Sequence, residues 1–509
     1  VKEKIFIGCD IGTSSTKTVA VDINGKVLAQ AVKSYGIIQK HHNWAEQDAA
    51  VWFEAAAETI QAVVKKIDEK AVEAICISAL YGGTGVMCDA SMESIRPSII
   101  WMDRRAEEES RWIRKNVGED RIFEISGNGI DSYFGFTKLL WVKNHEPENW
   151  KKIRFILPVH SYILYKLTGK VTVDYCSAGN VGGIFDYRLR EWSEEMCTEL
   201  GIPYEALPKE FHAPGEIIGT LNAEYQEKLG FNHEVKICAG TVDCIASMIS
   251  ATIVRNGDNA AVLGTSLNWG FLHDRLPDNP SLVSMPYGFD SKKLSYTYGG
   301  ASTAGALPRW FVKSFFGNED ASNYELLEKE IAENQIGAGS NGIIVLPYFM
   351  GERTPIWDEN ATGLIFGLTL SHTRAHIYRA VLESVAYSLL HIMEAMTGDE
   401  DDVRKDKINK IILVGGGSKS ELWKSIFADV TGLPVYTPVN PVEAPLGDAF
   451  MAAMGTENIK ETSVIEEWVK MNPPVNPVIE NNVVYKKYFE MYKQLYMDLK
   501  DTMGRHSRF

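Results

Sequence analysis

Several common signals are missing from these 509 residues, and each absence removes a class of function. The spacing Gly-x4-Gly-Lys-Ser/Thr does not occur, which excludes a P-loop nucleotide site. The seven cysteines (Cys9, Cys76, Cys88, Cys176, Cys197, Cys238 and Cys244) are odd in number, and no two have the Cys-x-x-Cys spacing. That argues against a disulfide framework or a zinc site and suits a reducing compartment. No uninterrupted apolar run reaches the ~18 residues of a membrane-spanning helix. The opening run Val1–Gly8 goes into a strand without the long apolar region of a signal peptide, so a cytoplasmic location is expected. There is no long Lys/Arg block either: Asp and Glu number 67 against 52 Lys and Arg, giving a formal charge of −15. Such a chain is a poor partner for nucleic acid or an anionic membrane. If it handles phosphates, backbone N–H groups and Mg²⁺ must do locally what a positive field would do globally.

What is present is the composition of a globular protein, 45% hydrophobic and 23% charged. Lys4–Gly8 is β-rich and leads into the turn Asp10-Ile-Gly-Thr-Ser-Ser-Thr16. A second strand, Lys17–Ile23, is joined by Asn24-Gly25 to a third, Lys26–Val32. Asn-Gly between apolar runs is a hairpin signal, because both residues accept positive φ. Trp52–Asp68 predicts an amphipathic helix and Val72–Ser78 a buried strand. The alternation of helix and strand signals that follows points to an α/β fold. A similar opening recurs halfway: strand Asn259–Leu263, turn Gly264-Thr265-Ser266, strand Leu267–Leu272. Two such units suggest two related domains, and the turn-rich Arg255–Asn259 places the boundary near residue 250. The expected division is therefore 1–250 and 251–509. The charged run 399–407 predicts a solvated loop. Tyr485, Tyr488, Phe489, Tyr492, Leu495, Tyr496 and Leu499 recur at helical spacing and predict a packing face.

Three further motifs bear on nucleotide binding. Gly337-Ala-Gly-Ser-Asn-Gly342 follows a helical stretch and precedes a strand, the reverse of a dinucleotide fingerprint, so it is an ordinary loop. Gly415-Gly-Gly417 lies between the strand Lys410–Val414 and the helix Ser420–Val430. It is either a tight turn or a place where a flat ring meets bare backbone. Asp10-x-Gly12-Thr13-Ser14 is either a polar turn or a loop in which the carboxylate holds hydrated Mg²⁺ and N–H groups cradle phosphate.

Taken together, these segments resemble a known family. Gly363-Leu-Ile-Phe-Gly367-Leu368, followed after seven residues by His376-Ile-Tyr-Arg-Ala-Val-Leu-Glu383, fits the second signature of the FGGY carbohydrate kinases at every defined position. Trp44-Ala-Glu46-Gln47-Asp48, Trp101-Met-Asp103-Arg104-Arg105 and Tyr133-Phe-Gly-Phe-Thr-Lys138-Leu-Leu-Trp141 follow in the family's order. So do Gly240-Thr-Val-Asp243, Leu263-Gly-Thr-Ser266, Gly351-Glu-Arg-Thr-Pro355, Gly415-Gly-Gly-Ser418 and Ala444-Pro-Leu-Gly447. The resemblance runs from residue 5 to about 455. It implies two actin/hexokinase-like, ribonuclease H-like α/β domains flanking a catalytic cleft. The N-terminal domain would bind sugar and carry the base; the C-terminal domain would bind nucleotide, with the terminal helix free to pack back.

The reaction the resemblance implies is transfer of a phosphoryl group from MgATP to a sugar or polyol hydroxyl, with ATP and Mg²⁺ required. Asp243, which in isolation reads equally as a cap residue, becomes the base. Asp10, through water, and Asp243 would hold Mg²⁺. Gly12, Thr13, Ser14 and Lys17 from one loop, Gly264 and Thr265 from the other, and Gly415, Gly416 and Gly417 would contact ATP. Tyr81, Asp103, Tyr133 and Asp243 are the expected sugar contacts. The segment Leu80-Tyr-Gly-Gly-Thr84 matches neither the Gln-Met-His-Gly of xylulose kinases nor the Gln-Arg-Glu-Thr of glycerol kinases. Cys244 stands where xylulose kinases usually carry Asn, and Gly135 where the first signature expects Pro, Ser or Thr. A ketopentose such as xylulose is the expected substrate; a hexonate, tetritol or heptulose, or a sensory nucleotide-binding role, are the alternatives. A homodimer is kept open as the assembly.

Overall fold

The computed structural model describes residues 4–398 and 407–506. Most of the charged run 399–407 therefore lies outside the described residues. The chain folds as two α/β units, neither of them contiguous in sequence. The first comprises Val1–Val254, Leu272–Thr297 and Val442–Lys470; the second comprises Arg255–Phe271, Tyr298–Pro441 and Met471–Phe509.

In the first unit, strands Ile5–Ile11, Ser15–Asp22 and Val27–Ser34 form an antiparallel meander. Its second turn is the predicted Asn24-Gly25, where Gly25 has φ +83° and the Asp22 carboxylate accepts from the Asn24 and Lys26 amides. Strand Val72–Ala79 lies on the other side of Ile5–Ile11 and runs parallel to it. Strands Lys236–Cys238 and Thr241–Val242 then pair in parallel with Val72–Ala79. Ile5–Ile11 and Val72–Ala79 are almost continuously apolar because both faces of the sheet are covered. Helix Ala49–Val64 packs on the meander, burying Trp52, Ala56, Ile60 and Val63 at helical spacing. Helix Ala444–Gly455 packs against strands Ile5–Ile11 and Val72–Ala79 and the helix Asp243–Ser250.

The second unit repeats the plan. Strands Asn259–Leu263 and Leu267–His273 form an antiparallel hairpin, and Ile411–Val414 runs parallel to the first of them, with Val435–Tyr436 beyond. Gly337–Gly342 is the predicted connection from helix Ala321–Glu333 to strand Ile344–Leu346. The terminal helix Ile479–His506 buries Tyr485, Phe489, Tyr492 and Tyr496, so the aromatic stripe is a packing face. Its Tyr485 hydroxyl donates to Glu383, which also accepts from Arg379, Ser340 and the Gly339 amide. Among the described residues no helix is long and apolar enough to cross a membrane.

Candidate active site

The parallel strands of the first unit end together, and their ends carry the acidic residues. Asp10 stands opposite Lys17 across the hairpin and opposite Ser78 on the parallel strand. Asp243 is the first residue of helix Asp243–Ser250, directly after strand Thr241–Val242, and its Oδ1 accepts from the Cys244 amide at 2.7 Å. Burial raises the Asp243 carboxyl above the usual carboxylate range. Asp10 is raised as well, by burial first and then by the charge of Asp243, so the two carboxylates lie in one field. A cation close to both would relieve that repulsion.

A third carboxylate belongs to this group. Asp448, fully buried on helix Ala444–Gly455, accepts from Ser78 Oγ at 2.8 Å, and the same hydroxyl lies 3.3 Å from Asp10 Oδ1. Ser78 has one proton for two acceptors, and burial raises the Asp448 carboxyl too. The motif Ala444–Gly447 stops one residue short of Asp448.

The turn after Asp10 is held by its own neighbours. The Gly12 amide donates to Ser15 O, Gln47 Nε2 to Thr13 O, and the Tyr35 amide to the exposed Ser14 carbonyl. Trp101 Nε1 donates to Thr13 Oγ1 at 3.0 Å. Segments noticed separately in the sequence thus converge on one turn. Lys17, expected at the phosphates, is ion-paired with Glu443.

The expected sugar contacts fall into two groups. Fully buried Lys138 donates from Nζ to the carbonyls of Gly82 and Tyr133 at 2.8 Å and of Trp101 at 3.2 Å. One ammonium therefore ties together the Tyr81–Gly83, Trp101 and Tyr133 segments. Burial pulls its pKa well below that of an ordinary lysine. Tyr81 is buried, and burial, followed by the charge of Asp174, raises its phenol. Tyr133 is half-buried, its hydroxyl 3.4 Å from Asn180 Nδ2. Asp103 is different. It is fully buried and accepts from the Ala45 amide and from the Arg105 amide, Nε and Nη2. Arg105 also binds Glu46 at 2.8 Å and stacks over Trp44, 3.7 Å from the ring centroid. Asp103 thereby orients Arg105 and does not present itself at a surface.

In the second unit Gly264 and Thr265 line a cavity of about 470 Å³. Gly416 and Gly417 form the wall after strand Ile411–Val414, and Tyr324, Tyr378 and Trp423 supply aromatic surface. The three glycines divide their roles. A Cβ at Gly415 or Gly417 would come within 2.5 Å of Leu263 atoms, whereas one at Gly416 would meet nothing within 4 Å. Gly415 and Gly417 seat the loop on the strand and Gly416 leaves bare backbone. Arg309, Glu328 and Ser420, which the motifs did not single out, also line the cavity.

Comparison with known proteins agrees with this arrangement. Residues 5–250 match the N-terminal domain of the FGGY family of carbohydrate kinases, and residues 259–456 match its C-terminal domain. A xylulose kinase of Bacillus subtilis is 29% identical over 506 residues, covering 98% of each chain. A gluconokinase of the same organism is 25% identical over 498 residues, covering 96% of this chain and 95% of the relative. The crystal structure of xylulose kinase from Rhodospirillum rubrum superposes with a TM-score of 0.91 at 27% identity, covering 98% of this chain and all of the other. The chain belongs to the FGGY family of carbohydrate kinases.

Proposed function

We propose that this kinase transfers the γ-phosphoryl group of ATP to a hydroxyl of a ketopentose of the xylulose type, with Asp243 as the base. The observation that carries the reading is Asp243 itself. It is a half-buried carboxyl at the start of a helix, held above its usual range by desolvation and within the field of a second carboxylate. A base tuned upward accepts a proton more readily, and a positioned base contributes roughly 10²–10⁴-fold. The sugar hydroxyl would give its proton to Asp243 as its oxygen bonds to phosphorus and the bond to ADP breaks. Because the transition state asks for little covalent chemistry, the remaining residues position and neutralise.

Asp10 and Asp243 would hold Mg²⁺, and two carboxylates suit an ion that keeps several waters and shares phosphates. The cation supplies charge neutralisation on the phosphates. In this reading the first unit binds the sugar and carries the base, and the second binds the nucleotide. Gly12, Thr13, Ser14, Lys17, Gly264 and Thr265 face the phosphates and Gly415–Gly417 the adenine. Tyr81 and Tyr133 contact the sugar, and Asp103, expected beside them, holds Arg105 against Glu46 and Trp44. Xylulose is favoured by the 29% identity to a xylulose kinase over 98% of both chains. A hexonate is the second reading, because a gluconokinase also aligns over nearly the full length.

The test is ADP release with MgATP against ketopentoses, pentitols, tetritols, gluconate and glycerol, repeated with Asp243→Asn. Sugar-dependent turnover should fall about 10²-fold or more in the variant while ATP still binds. Full turnover by Asp243→Asn would remove the base assignment, and turnover on gluconate alone would reassign the substrate.

A further inference from the structure

The cavity of the second unit holds a cation that no motif of the sequence singled out. Arg309 lies on helix Ala306–Phe316, and its Nη2 donates to Thr265 Oγ1 at 3.1 Å and its Nε to Gly305 O at 3.4 Å. Among the described residues these hydrogen bonds go to neutral oxygens, so the guanidinium keeps its whole charge. It is exposed, and three of its five N–H groups remain for a ligand. The turn it touches is fixed from behind: the Ala304 and Ala306 amides donate to Thr265 O and the Gly305 amide to Gly264 O. The Thr265 hydroxyl therefore meets Arg309 in a set geometry.

Charge decides which part of a nucleotide faces this end. Glu328, which lines the same cavity, accepts at 2.7 Å from Ser420 Oγ, the cap of the helix that carries Trp423. A carboxylate there repels phosphate, and a guanidinium at Thr265 attracts it. The chain as a whole carries −15, so a polyphosphate needs a local cation. In the first unit Lys17, the cation proposed for the phosphates, shares its charge with Glu443. A planar guanidinium also matches two phosphate oxygens at once, which an ammonium does not.

We infer that Arg309 is a catalytic residue that grips the β-phosphate of the nucleotide and stabilises the charge that collects there during transfer. In that step the sugar oxygen bonds to the γ-phosphorus and the bond from phosphorus to the β–γ bridging oxygen breaks. ADP leaves with that electron pair, and the hydroxyl proton goes to Asp243. The inference rests on reading this cavity as the ATP site.

The experiment is isothermal titration of the full chain and of Arg309→Ala and Arg309→Lys with ATP, ADP and AMP, with steady-state kinetics alongside. Truncating an exposed side chain leaves the core untouched, so the variants should fold. For Arg309→Ala the Kd of both ATP and ADP should rise about 10- to 100-fold, the size of one charge-assisted contact. AMP, which has no β-phosphate, should bind within about twofold of wild type on that argument. kcat should fall as well, and Arg309→Lys should recover part of each loss. Unchanged ADP affinity, or an equal loss for AMP, would overturn the inference and leave the kinase reading intact. Wild-type protein that failed to bind ATP would instead sink the ATP reading, and this inference with it.

Discussion

At the scale of single residues, the departures from the family pattern explain one another. Gly135 begins helix Gly135–His145, and a Cβ placed on it would lie 2.2 Å from the carbonyl oxygen of Gly83. Two of the sequence's unusual features, Gly135 in the first signature and the Gly82-Gly83 pair, are therefore one packing event. The loop comes close to the helix because neither side has a side chain in the way. Gly135→Ser, which restores the residue type the signature expects, should push the Tyr81–Gly83 segment outward against Lys138's grip. Misplacement of a substrate-positioning loop by about 1 Å can cost up to about 10²-fold. We expect KM for the sugar to rise by about tenfold, with KM for MgATP unmoved. Steady-state kinetics with each substrate varied in turn checks this. An equal rise in both constants would mean that the loop does not serve the sugar alone.

At the scale of elements, what was legible in the sequence is what local chemistry specifies. The Asn24-Gly25 turn, the strands around both hairpins, the helix–loop–strand at 337–342 and the terminal aromatic face were all readable, because turn residues and periodicity act over a few positions. Asp448 and Lys138 were not readable as site residues. Asp448 meets Ser78 across 370 residues and Lys138 meets Gly82 across 56, and no local rule encodes such pairings. The ion pair of Lys17 was not readable for the same reason, since its partner Glu443 is 426 residues away. Helix docking shows how burial adds a property that periodicity cannot. His391, on helix Arg374–Thr397, faces Phe489, Tyr492, Lys493 and Glu490 of the terminal helix. Burial first, and then the charge of Lys493, lowers its pKa from 6.5 to about 4. The folded state thus keeps His391 neutral. As pH falls from 6.5 towards 4 the unfolded chain takes up a proton that the folded chain refuses, so stability drops across that window and the loss is complete below it. The full loss is on the order of 3 kcal/mol. Urea unfolding at pH 7.5, 6 and 4.5 should show a steeper decline for wild type than for His391→Gln. Parallel declines would refute the assignment.

At the scale of the whole molecule, the order of the chain and the order of the fold differ. Helix Ala444–Gly455 is encoded almost at the end, yet it covers the strand encoded first. The fit is tight enough to require glycine on both sides: a Cβ at Gly8 would lie 1.9 Å from Pro445 O, and one at Gly447 would lie 2.0 Å from Ala246 O. The helix is buried nearly all round, with Ala449, Phe450, Met451 and Ala453 in the core. Such a helix has no polar face to present to water and exists only where it is enclosed. The reverse also holds. Strand Ile5–Ile11 is apolar on both faces, and removing the helix would expose one of them together with part of Val72–Ala79. Each large apolar side chain so exposed costs about 1.5–3 kcal/mol, and a domain's whole margin is about 5–15 kcal/mol. A fragment of residues 1–250, which stops where the N-terminal family model stops, should therefore lack a cooperative thermal transition. Joining residues 442–470 to it through a flexible linker should restore one. Circular dichroism melts of the two fragments decide the matter. A cooperative transition in residues 1–250 alone would show that the sheet tolerates an open face, and that the late helix is an accessory to the first unit and not part of its core.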